Sequence, residues 1–216
     1  MPREQHRIRK QTQFIDLVQA GLTMNDLLQR AIEGMSSRNP EVRMTSATEI
    51  HHIGRAMADH AVFPWWEDPE LFSLLEGGNP FVTVGLAVTQ ERFEKIREAS
   101  GLPRLAEVPA DQDAREFELH LPGGLTMDVL TSKEPDGGGA IAKFLQKFGE
   151  GVQQVEVRCK DVDRATQILT QKFALKPVYP AARSGADGTR INFFLLSAPS
   201  SGKVLIELYE PAPRLD

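Results

Sequence analysis

The sequence predicts an α+β fold in which an N-terminal helical arm precedes paired β-α-β-β-β modules. Three observations predict it. Residues 1–79 carry helical spacing and no strand alternation, the pattern changes to apolar alternation from Phe81, and the strand-helix-strand order of residues 80–216 occurs twice. The copies span 80–136 and 151–213, with a connector helix at 137–150 after the turn-rich run SKEPDGGG.

Composition sets the frame. A chain of 216 residues with 41% hydrophobic and 25% charged residues can bury a core and lies outside the disordered regime. Thirty acidic against 25 basic residues, without a clustered Lys/Arg face, argue against nucleic acid as a partner. No apolar run approaches the ~20 residues of a membrane span, so no membrane partner is expected. The single cysteine, Cys159, leaves no internal disulfide and fits a reducing, cytoplasmic setting.

In the arm, Phe14, Leu17 and Val18 fall at helical spacing, and Thr23 precedes Asp26 by three in a capping-box arrangement that opens MNDLLQRAIEGM. A further helix runs from about Glu41 to Ala61, its stripe formed by Ala47, Ile50, Gly54, Met57 and Ala61. His51 and His52 lie about 100° apart on that helix. With Arg55 and Ala56 four residues on, they are not a chelating pair, and surface or arm-to-barrel hydrogen bonding is their expected work. DPELFSLLEGG is a short helix, and Trp65-Trp66 is expected to pin the arm to the barrel or to a second subunit.

The first module reads as strand FVTVGLAV, a helix TQERFEKIREAS with Phe93 and Ile96 on one face, and strands REFELHLP and LTMDVLTS. After GAIAKFLQKFGEG come VQQVEVRC, helix DRATQILTQKF, then LKPVYP, TRINFFLL and KVLIELYE. Overlaying the copies puts Thr83 on Gln154, Phe117 on Phe193 and Asp128 on Glu207. Two curved sheets with helices outside and a cleft between their concave faces are expected. Alternation sends Val155, Val157, Cys159, Ile206 and Leu208 toward the helices. Gln154, Glu156, Arg158, Glu207 and Tyr209, with Glu116, Glu118, His120 and Asp128, then face the cleft. So many half-buried carboxylates must bind protons more tightly unless Arg158, Arg190 or a cation neutralises them.

The runs GGAIAKFLQKFGEGVQQVEV, GTRINFF and GKVLIELYE resemble the second half of methylmalonyl-CoA epimerases, and VTVGLAV and REFEL resemble pieces of the first half. The likeness spans roughly residues 80 to 211. It points to the vicinal oxygen chelate superfamily, which includes glyoxalase I and extradiol dioxygenases. The resemblance implies a half-open barrel with one metal at Thr83, Asp128, Gln154 and Glu207. The family usually has His where Thr83 and Gln154 stand, and Gln or Glu where Asp128 stands; only Glu207 is unchanged. An oxygen-only set of this kind suits Mg²⁺, Mn²⁺ or Ca²⁺, and a site without metal is an equal alternative. The resemblance also implies Glu116 and Glu207 as the acid–base pair, while Arg158, Arg190, Asn192, Tyr209 and His120 are the candidate substrate contacts. Two functions stay open. One is an isomerase or lyase shifting a proton next to a carbonyl of a small acid or thioester; the other is a metal-free, non-catalytic ligand-binding or interaction module. Either takes a small-molecule ligand, and the arm is the candidate homodimer surface.

Overall fold

The computed structural model describes residues 23–75, 82–198 and 202–212. The helical spacing at Phe14, Leu17 and Val18 lies outside them. Helix α1 (Met24–Gly34) starts at the expected capping box: the Thr23 hydroxyl accepts from the Asp26 amide, and the Asp26 carboxylate accepts from the Thr23 amide. Helix α2 (Pro40–Val62) is opened by Asn39, whose side chain accepts from the Glu41 amide, and by a proline in its first turn. A 3₁₀ turn (Phe63–Glu67) and helix α3 (Pro69–Leu74), capped by Asp68, complete the arm.

The remaining elements are β1 (Val82–Ala87), α4 (Gln90–Ala99), β2 (Arg115–Leu121), β3 (Leu125–Thr131), α5 (Ala140–Phe148), β4 (Gly151–Arg158), α6 (Val162–Phe173), β5 (Arg183–Ser184), β6 (Arg190–Ala198) and β7 (Gly202–Glu210). They form one curled sheet in the order β2-β3-β1-β4-β7-β6-β5. The expectation of two sheets is corrected here: β1 and β4 pair antiparallel along the seam, so the modules share one hydrogen-bonded surface. The duplication is legible in the register. Gly85 opposes Asp128 between β1 and β3, and Glu156 opposes Glu207 between β4 and β7, so the pairings Thr83 with Gln154 and Asp128 with Glu207 hold. Phe117 does not overlay Phe193. Glu118 opposes Asp128 while Phe193 opposes Glu207, and Phe117 is buried on the helical face with the outer core.

LKPVYP is not a strand. Pro177 and Pro180 lack the N–H that a ladder needs, and the segment keeps one isolated bridge, Pro177 to Phe194, before the two-residue β5. In the first module residues 103–114 are likewise a loop, with Pro103 and Pro109 in it.

The convex face is covered by α2, α4 and α6. Phe93 and Ile96 of α4, and Ala165, Ile168 and Leu169 of α6, join Val84, Leu86, Val155, Val157, Ile206 and Leu208 in a core that also takes in Ile50, Ala58, Val62 and Trp65 of the arm. Gly54 lets α2 lie on β1, since a Cβ there would stand 2.6 Å from Val84 Cγ1. Trp65 meets Phe194 edge to face at 6.4 Å. His51 is buried in this interface and His52 is exposed. The predicted apolar stripe is therefore used inside the chain, against the barrel.

Candidate functional site

The concave face encloses a cavity of about 870 Å³. Its floor follows from strand alternation: Glu116, Glu118 and His120 from β2, Asp128 and Leu130 from β3, Gln154 and Glu156 from β4, and Leu205, Glu207 and Tyr209 from β7 all line it. Gly85 sits between Asp128 and Gln154 in the register. A Cβ there would meet Gln154 Cγ at 2.6 Å, so the glycine opens the room in which these side chains converge.

The floor is a hydrogen-bonded acidic cluster. Gln154 Nε2 donates to Glu156 Oε1 at 3.0 Å and to Glu207 Oε2 at 2.5 Å. Asp128 and Glu156 share a hydrogen bond that raises the proton affinity of Asp128 and opposes the rise at Glu156. Burial is the leading cause of raised pKa values at Glu116, Asp128, Glu156 and Glu207 alike, with neighbouring carboxylates adding to it. Glu116 is pushed up to about 8. The Tyr209 hydroxyl is also pushed up by burial and by Glu156, which keeps it a neutral donor.

A crystal structure of methylmalonyl-CoA epimerase from Mycobacterium tuberculosis superimposes with a TM-score of 0.51 and 36% identity, covering 62% of this chain and 88% of that one. The chain belongs to the methylmalonyl-CoA epimerase-like group of the vicinal oxygen chelate superfamily. A hypothetical protein from Bacillus halodurans C-125 shares the fold at a TM-score of 0.50 and 23% identity, over 62% of this chain and 95% of that one. No protein-family model and no curated protein matches the sequence.

Within this epimerase-like barrel the two carboxylates that the resemblance implies as acid and base, Glu116 and Glu207, both line the cavity. Their strands stand four places apart in the curled sheet, on facing walls. Tyr209 lines it too, and His120 lies at the rim, largely exposed and 2.9 Å from Glu118. The other candidate substrate contacts are placed elsewhere. Arg190 pairs with Asp163 and Glu210 outside the cleft. Asn192 faces the helical side, where it accepts from the Tyr179 amide and donates to the Tyr179 carbonyl. Arg158 is half-buried beside Tyr209 in the register and is not part of the cavity wall.

The four positions implied for a metal fit one poorly. The Thr83 hydroxyl is engaged with the Thr126 hydroxyl at 2.8 Å, and Gln154 presents its amide nitrogen to Glu207 and Glu156. Among the described residues, no group of three or more His, Cys, Asp or Glu is disposed to hold a cation.

Gln153 is the cavity residue that strict alternation misses. Gly85 opposes Gln154, but Leu86 opposes Val152, so Gln153 is the extra residue of a β-bulge and turns into the cavity beside Gln154. One signal of it was present: Val152 and Val155, both in the outer core, are three residues apart instead of two or four.

Proposed function

We propose that this chain is an epimerase-like enzyme that moves a proton at the carbon next to a carbonyl of a small acid or thioester, with Glu116 and Glu207 on opposite sides of that carbon. The observation that carries the reading is Glu116, a carboxyl lining the concave cavity with its pKa pushed up to about 8. A group that both holds and releases a proton near neutrality is suited to general acid–base work. One carboxylate takes the proton from one face, and its protonated counterpart delivers another from the far face. The developing enolate oxygen needs donors in place of a metal. The Tyr209 hydroxyl and the proton held by Asp128 supply them, a contribution of several kcal/mol in such sites.

The test is deuterium uptake from D₂O at the α-carbon of a carboxyacyl thioester, with methylmalonyl-CoA as the first probe. Glu116→Gln and Glu207→Gln should each lower the exchange rate by about two orders of magnitude or more. Exchange that persists unchanged in the double variant would sink the reading.

A second reading rests on Thr83 and Gln154, which stand where the family has histidine and are already hydrogen-bonded to neighbours: the barrel binds a small molecule without turning it over. It predicts saturable binding and no deuterium uptake.

A further inference from the structure

Gln153 is buried, and its side-chain oxygen is one of the buried polar atoms for which the fold provides no hydrogen-bond partner. A buried acceptor left unpaired is destabilising, because it has given up water and gained nothing in return. The same residue occupies the bulge of β4, a feature that interrupts the ladder at the centre of the sheet, next to the seam between the modules. Bulges re-aim side chains and recur beside active sites. Here the consequence is specific: without the bulge, Gln153 would face the helical core with Val155, and the cleft would lose a neutral amide whose oxygen is buried without a partner. The nitrogen of its neighbour Gln154 serves Glu156 and Glu207, which ties that side chain to the acidic floor. The wall around Gln153 is rich in carboxyl groups, and none of them reaches its oxygen.

We propose that Gln153 orients the ligand: its side-chain oxygen accepts a hydrogen bond from a hydroxyl or amide N–H carried by the molecule in the cleft. The inference rests on the cavity being the ligand site of the proposed epimerase-like reaction, and adds the class of group the ligand must carry. The acidic floor handles the reacting carbon; Gln153 sets which molecule is placed over it. An analogue of the same shape without the N–H or O–H leaves the acceptor buried and unpaired, which predicts binding weaker by about tenfold.

The experiment uses a minimal pair on the full chain: N-methylacetamide, which has the donor, and N,N-dimethylacetamide, which lacks it. Binding is followed by NMR through the Gln153 side-chain amide resonance, assigned by its loss in Gln153→Met. The expected result is that N-methylacetamide shifts this resonance and binds about tenfold more tightly than its dimethyl analogue, with the preference abolished in Gln153→Met. Equal binding of the two probes to the wild-type protein, a preference that survives in Gln153→Met, or no shift at Gln153 with either probe overturns the proposal. Should the variant not fold, the comparison of the two probes on the wild-type protein decides. Because binding is read without turnover, this outcome and the deuterium exchange of the Glu116 variants can fail separately.

Discussion

Glu116 shows what one side chain contributes to chemistry and withdraws from stability. Burial and the nearby Glu156, Asp187 and Glu118 charges hold its proton to about pH 8 in the folded chain, whereas the unfolded chain releases it near 4.5. Between those values the unfolded state binds fewer protons, so the contribution of Glu116 to stability falls as pH rises through the window and levels off above it. Glu116→Gln should flatten that slope and, at pH 8 and above, stabilise the fold by about 2 kcal/mol, read as a higher urea midpoint. A wild-type midpoint that does not fall between mildly acidic pH and pH 8 would count against the assignment. In the exchange assay the base must be ionised, so the rate limited by Glu116 should climb with pH up to about 8 and then flatten.

At the scale of elements, the decisive contact is α2 on β1. Val84 is fully buried and sits against Gly54. Gly54→Ala should destabilise by about 2 kcal/mol despite alanine's better helix propensity, because the added methyl overpacks a closed core. Val84→Ala should also destabilise, yet the double variant should lose less than the sum of the two, since the space left by one methyl set takes the other. Strictly additive thermal unfolding shifts would show that the two residues do not meet. The helices were legible in sequence because their signals are local: the Thr23–Asp26 box and the Phe93–Ile96 face need no partner to be read. Glu116, Asp128, Gln154, Glu156 and Glu207 were legible on the cleft face for a similar reason, as alternation fixes a side within a regular strand. Gln153 was not, because a bulge is a property of two strands: the three-residue spacing of Val152 and Val155 hints at it, and the β1–β4 register fixes it. Asn192 and Arg190 went elsewhere for tertiary reasons: one serves the Tyr179 loop, and the other finds Asp163 and Glu210 nearer than any cleft carboxylate.

At the scale of the molecule, the modules meet at the β1–β4 seam, under α2, and again at the cleft mouth. There the loop before β2 and its counterpart before β6 are clasped together. Arg104 donates to both oxygens of Asp187, at 3.1 and 2.7 Å, and the Glu107 amide donates to Asp187 at 2.9 Å. The Asp187 amide answers to the Glu107 carbonyl at 3.1 Å, Gln112 reaches the Ser184 carbonyl at 2.9 Å, and Arg183 pairs with Asp111 while lying 4.7 Å over the Tyr179 ring. Arg104 and Asp187 are both substantially exposed, so their pair adds little to global stability. Its effect is local, holding two proline-containing loops in one arrangement over the cavity. Asp187→Ala should therefore leave the melting temperature nearly unchanged while speeding amide hydrogen exchange at residues 104–107 and 183–188, with Arg104→Lys intermediate because a lysine keeps the charge and loses the fork. The Arg104 guanidinium holds the Asp187 carboxyl below its usual range, so the clasp should persist through neutral pH and fail only as acid protonates Asp187 below the ordinary aspartate value. High salt should loosen it as the substitution does. Unchanged exchange at residues 104–107 in Asp187→Ala would mean that backbone pairing alone closes the mouth.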